Sequence, residues 1–188
     1  MGEKHLGEVP SQVLFNELAR RHKNRVWIGS DCKDVNSLLD AGLHLRFEQE
    51  EHVKVLYLAT NGQFLAEEVW TMSEPDRVDL QIRHIVKQAI SQGASQVAII
   101  HNHPCGTSEP SDGDILGTCR LIEASRHLNL TLLDHLIVAE SGYFSMEESG
   151  ILQQIKDTVK EYEVCSKAVV EREYKKPQSP SDVLGKKQ

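Results

Sequence analysis

His101 and His103, two residues apart, and Asp114, eleven residues after the second histidine, are the side chains whose types and spacing suit shared chemistry. Two imidazoles and a carboxylate form the donor set of a catalytic zinc site, in which three protein ligands leave the fourth tetrahedral corner to water or substrate. Between them, Cys105-Gly106 and Pro110 suit a bend that returns Asp114 towards the histidines. The pattern predicts one zinc ion per chain, held by His101, His103 and Asp114. Asp112 is a competing carboxylate, and the three-residue step from Ser111 to Asp114 favours the latter.

Each part has a plainer explanation when taken alone. Ser111 followed by Asp114 is a capping box, with serine accepting a backbone N–H and the acid answering from the third helical position. Two histidines flanking one residue also occur in ordinary loops. The conjunction carries the metal reading: an apolar run, His101-Asn102-His103-Pro104, a bend, then Ser111 and Asp114. Other chemistries built on the same histidine spacing lack their partners. Cys105 stands where a metallo-β-lactamase pattern needs aspartate and a histidine triad needs histidine. A zinc deaminase needs glutamate where His103 stands and a second cysteine where Ser108 stands.

The elements that must position these residues are readable from periodicity. Val97-Ala98-Ile99-Ile100 predicts a buried strand that delivers the histidines at its end. Ser111 predicts the start of a helix running to about His127, with Ile115, Cys119 and Ile122 facing inward. Upstream, Val53 to Leu58, the turn signal Asn61-Gly62, and Gln63 to Trp70 predict an antiparallel hairpin. Ile82, Ile85, Val86, Ala89 and Ile90 recur at helical spacing before a stop at Gly93. Leu130 to Val138 predicts a further strand. A last amphipathic helix carries Ile151, Ile155, Val159, Tyr162 and Val169. Two earlier helices are expected, one capped by Ser11 and one from Asp34 to Ala41 ending at Gly42. From Pro177 the Pro/Ser/Gln/Lys-rich tail predicts disorder. The order of elements indicates an α+β fold.

A chain of 188 residues, 39% of them hydrophobic, suits one globular domain with extensions. Its net charge of −7 opposes broad attraction to nucleic acid or anionic membranes, leaving Arg20-Arg21-His22-Lys23-Asn24-Arg25 as the one local basic run. Cys32, Cys105, Cys119 and Cys165 form no CxxC pair, which suits a reducing setting. No leader-like or membrane-spanning apolar run is present, so a cytoplasmic location without membrane partners is expected.

The run His101-Asn102-His103-Pro104-Cys105-Gly106, then Pro110-Ser111 and Asp114, resembles the HNHPSG and PSxxD signature of RadC-like proteins in the JAMM (MPN+) metallopeptidase superfamily. Leu133-Asp134-His135-Leu136-Ile137-Val138 and Ser145-Met146-Glu147-Glu148-Ser149-Gly150 look like later RadC segments, and the resemblance covers roughly 51–152. It departs at Cys105, where serine is usual, at Ala59, where the first strand usually ends in aspartate, and at Ile82-Arg83-His84, which stands for a Pro-Arg-Glu segment. The resemblance implies a mixed, largely antiparallel sheet flanked by helices. With the helical periodicity on either side of it and the composition of the tail, it gives a division into an N-terminal helical extension (1–46), a catalytic domain (47–152), a C-terminal helix (153–176) and a tail (177–188).

The same resemblance implies a glutamate general acid/base at the start of the first strand, which is Glu51 among Glu48, Glu50 and Glu51, and a hydrogen bond from Ser111 to the reaction's oxyanion. The expected activity is zinc-dependent hydrolysis of peptide or isopeptide bonds, on a protein or peptide substrate such as a ubiquitin-like conjugate. The alternatives are a RadC-like accessory or binding protein in DNA repair without peptidase activity, and a metal-dependent nuclease. A helix-hairpin-helix sequence is absent from 1–46, which weakens the nucleic-acid readings. His135 is expected to be a satisfied strand histidine or to orient a ligand, with Asp134 fixing its tautomer.

Overall fold

The apolar runs become strands wherever alternate residues can be buried on both sides, and five of them form one sheet. The computed structural model describes residues 31, 32, 34–72 and 78–173. Among these, the elements run α1 (Val35–Gly42), a 3-10 turn (Leu43–Phe47), β1 (His52–Leu58), β2 (Phe64–Thr71), α2 (Val78–Ser91), β3 (Gln96–Asn102), α3 (Asp112–Ser125), β4 (Thr131–Ala139), β5 (Gly142–Ser145) and α4 (Ile151–Glu173). The Ser11-capped helix, the basic run at Arg20 and the tail from Pro177 lie outside the described residues, as do the side chains of Cys165 and Val169.

The sheet order is β2-β1-β3-β4-β5. All neighbours are antiparallel except β3 and β4, which are parallel and joined by α3. This is the α+β architecture, with a mixed and mainly antiparallel sheet. A core of Val55, Tyr57, Ile99, Leu121, Ile137 and Leu152 fills the side covered by α2, α3 and the start of α4. A second core, including Leu38, Leu45, Leu56, Leu58, Ile100 and Val138, fills the side covered by α1. Val97, Ile99 and His101 therefore alternate with Ala98, Ile100 and Asn102 across β3, and the histidine faces α3.

Parity changes along β4. Val97 pairs with Leu132 but Ile99 pairs with His135, so one extra residue sits in β4 at this irregularity. Such a bulge switches which side chains face which side of the sheet. Here it turns His135 towards α3 beside His101 and leaves Leu136 and Val138 in the opposite core.

Several expectations change in detail. β3 continues through Asn102, so His101 lies within the strand and not beyond its end. β5, four residues long, was not foreseen. Ile115 and Ile122 of α3 pack against the core as expected, but the helix's fully buried residues are Thr118, Leu121 and Ser125, two of them polar and invisible to a hydrophobic pattern. Ile90 and Tyr162 are 64% and 73% exposed, so neither belongs to its helix's buried face.

Gly42 ends α1 as expected but for a different reason from a helix stop. Its backbone is not left-handed (φ −120°), and a Cβ built there would collide with the Ile100 side chain. The glycine lets α1 sit directly on β3. The neighbouring carbonyl of Ala41 accepts from Lys54 Nζ at 3.0 Å, and this buried ammonium also pairs with Glu67 at 2.9 Å. Gly42→Ala should overpack this seam and cost about 1–3 kcal/mol in urea unfolding, more than alanine returns in helix propensity. An unchanged or raised midpoint would show that α1 is not seated so tightly.

Candidate metal centre

β3 ends in the tripeptide that carries both histidines, and the capped N-terminus of α3 carries the carboxylate. His101 Nε2 lies 2.9 Å from His103 Nε2 and 3.2 Å from Asp114 Oδ1. His103 Nε2 lies 3.4 Å from Asp114 Oδ2. Ligand atoms about 2.0–2.1 Å from a tetrahedral zinc are separated by about 3.3 Å. The two nitrogens and the Asp114 carboxylate, one oxygen towards each ring, thus stand at about the separations of ligands in such a shell.

The proton positions follow from the outer partners. His103 Nδ1 lies 3.0 Å from the Thr107 carbonyl, which can only accept, so Nδ1 carries the proton and Nε2 a lone pair. Thr118 Oγ1 donates to the Asp114 carbonyl at 2.7 Å and therefore accepts from His135 Nδ1 at 2.7 Å. His135 Nε2 then accepts from His101 Nδ1 at 2.8 Å, which in the neutral ring leaves a lone pair on His101 Nε2. With both rings neutral, as a metal requires, two lone pairs and a carboxylate converge. The donor set fits a divalent cation.

Burial works against the Asp114 carboxylate, but hydrogen bonding and charge from His101, together with Ser111, outweigh it and hold the group well below the usual carboxylate range. Ser111 N and Oγ both donate to Asp114 Oδ2, at 2.7 and 2.6 Å, and Ser111 Oγ accepts from Asp114 N at 3.2 Å. The capping box and the orientation of the carboxylate are one structure. His135 is pushed down to about 3, first by burial and then by the charge of His101, so it serves as a neutral link.

Glu51 directly precedes β1. Its carboxylate and the ligand atoms of His101 and His103 all lie within 4.8 Å of one another, a span that one intervening water can bridge. Asn102, fully buried, brackets Glu51 from both sides: its Oδ1 accepts from His52 N at 2.7 Å and its Nδ2 donates to the Glu50 carbonyl at 3.0 Å. The residue between the histidines thus fixes the segment that carries the glutamate.

The structure brings together all five residues singled out from the sequence: Glu51, His101, His103, Ser111 and Asp114. Asp112 and Cys105 are exposed and in neither group of clustered donors among the described residues. Asp134 does not touch the His135 ring. Its Oδ1 accepts from the backbone N of His135 and Glu147, and its Oδ2 from Ser145 Oγ, which ties β4 to the end of β5. The tautomer-setting partner is Thr118, and sequence reasoning missed it together with Asn102. The Asn102 signal was its place between two ligands; Thr118 lies one helical turn after Asp114.

This α+β sheet, with two histidines at a strand end and an aspartate at a helix start, is the JAB/MPN class of fold. The model of the RadC-like JAB domain matches residues 30–151, and the chain belongs to that family. It is 32% identical over 124 residues to a UPF0758 protein of Methanosarcina mazei, covering 66% of this chain and 53% of that protein. It is 36% identical over 115 residues to one of Streptococcus suis, covering 61% and 47%. With one of Thermotoga maritima it shares 40% identity over 104 residues, covering 55% and 47%. The chain spans about half the length of these relatives. No helix among the described residues is long and apolar enough to cross a membrane.

If Thr118 and His135 set the lone pair of His101, Thr118→Val should weaken zinc affinity about 10–100-fold in a competition titration, while Thr118→Ser weakens it little. Equal affinity for the valine variant and the parent would remove this chain of bonds from the metal site.

Proposed function

We propose that the chain is a zinc-dependent hydrolase of peptide or isopeptide bonds, with one zinc held by His101, His103 and Asp114. The observation that supports it most is the convergence of His101 Nε2, His103 Nε2 and the Asp114 carboxylate, with a second carboxylate, Glu51, within 4.8 Å of the nitrogens. When bound, zinc would lower the pKa of water towards about 7 and polarise a carbonyl.

The remaining roles belong to the chain. Glu51 is well placed to take a proton from attacking water and return it to the leaving amine, which needs a carboxylate near the metal but not on it. Asn102 keeps Glu51 there. Ser111 orients Asp114, since its proton and its N–H both go to Oδ2. To stabilise an oxyanion, the hydroxyl must first leave Asp114. The substrate class is a protein or peptide, a ubiquitin-like conjugate among them.

Purified protein should carry about one zinc per chain by elemental analysis, and His101→Ala or Asp114→Ala should lose it. Glu51→Gln should keep the zinc and lose hydrolysis of a peptide library by at least about 100-fold, since general acid–base catalysis contributes about that much. Retained activity in Glu51→Gln, or loss of its metal, would reassign the glutamate.

A further inference from the structure

Beneath the proposed metal site the space between α2, α3 and the sheet is not filled by the described residues. A cavity of about 80 Å³ opens there, with Glu51, His101 and Asp114 at one end and Val53, Trp70, Ile82, Ile85, Ile99 and Leu121 around the rest. From these residues we infer that the cavity is a side-chain pocket, which receives one aliphatic residue of a peptide whose adjacent backbone lies over His101, His103 and Asp114. This rests on the hydrolase reading for its chemistry, though the pocket itself is testable without turnover.

Three features of the cavity lead to that occupant. Its wall away from the metal site is mainly apolar, with the Gln81 amide and the Trp70 N–H its polar groups, so a charged side chain would lose its hydration there with no opposite charge to meet it. Its volume is about half of the 150 Å³ in which an apolar protein cavity takes benzene, which suits a short branched alkyl group and not an aromatic ring. The third feature is a donor that the fold leaves unused. The indole Nε1 of Trp70, a lining residue, is buried without a hydrogen-bond partner among the described residues. An unsatisfied buried donor of this kind is costly, and a peptide carbonyl entering with the side chain would satisfy it.

α3 contributes to the same space. Gly113, in the first turn of the helix, and Gly117, in its interior, both line the cavity, although an interior glycine such as Gly117 costs a helix about 1 kcal/mol relative to alanine. A Cβ at Gly113 would meet only Ser111 Oγ, at 3.5 Å, so helix packing does not demand glycine there. Room beside the proposed ligands is what the two glycines provide.

The test reads the pocket and the hydrolysis separately. The chain has two tryptophans, Trp27 and Trp70, so the Trp70 indole N–H can be followed by NMR in zinc-loaded protein and assigned with Trp27→Phe. N-acetyl-leucine amide should shift it saturably and at least about tenfold more tightly than N-acetyl-glycine amide or N-acetyl-phenylalanine amide. Val53→Phe should abolish the leucine probe's effect, and Met72→Ala, at a further lining position, should admit the phenylalanine probe. Equal response to all three probes, or a leucine response that survives in Val53→Phe and is unaltered in Met72→Ala, would overturn the pocket.

In parallel, peptide-library cleavage should place valine, isoleucine or leucine beside the cut bond about tenfold or more above phenylalanine. Cleavage with no such preference would overturn the pocket and leave the hydrolase. Leucine-selective binding with no cleavage would uphold the pocket and remove the hydrolase.

Discussion

Two neutral imidazole rings whose Nε2 lone pairs face one another at 2.9 Å repel, and a carboxylate beside them does not relieve that repulsion. A cation between them does, whether a proton on one ring or a metal ion. The arrangement follows from hydrogen bonds made on the far side of each ring: Thr107 holds the proton of His103, and Thr118 through His135 holds that of His101. Much of the surrounding fold keeps these two rings and one acid in that relation.

Each constraint comes from a different element, which makes the site rigid. β3 is central in the sheet and paired on both sides, so His101 rests on a buried platform. The bulge in β4 turns His135 to the same face, and α3 brings Asp114 and Thr118 in together because they lie one turn apart. Asn102, on the opposite face of β3 from His101, grips the backbone on either side of Glu51. One tripeptide therefore places both proposed ligands and the proposed base. Its neighbour α1 is pressed against the back of the same strand through Gly42.

Much of this was legible in the sequence because it is local. The hairpin signal at Asn61-Gly62, the apolar run before His101 and the capping pair Ser111 and Asp114 each declare themselves within a few residues, and the spacing alone named three candidate ligands. What stayed hidden depends on register or on polar burial. No periodicity announces an extra residue in β4, so His135 was left between an ordinary strand histidine and one that orients a ligand, and only the register decides for the second. Thr118 and Ser125 are buried but polar, so the hydrophobic pattern found the flank of the inner face of α3, at Ile115 and Ile122, and missed its centre. Asp134 looked like a partner for the next residue's ring, yet its oxygens are taken by the turn after β5. The residues now assigned to the outer bonds of the metal site contact it only in three dimensions.

X-ray absorption at the zinc edge tests the central claim most directly, because it reads the atoms around the metal without any assumption about substrate. The geometry predicts a shell of two imidazole nitrogens and one or two oxygens at about 2.0–2.1 Å, with no sulfur. A sulfur neighbour at about 2.3 Å, which would bring Cys105 onto the metal, or a shell without imidazole in zinc-loaded protein, would contradict it.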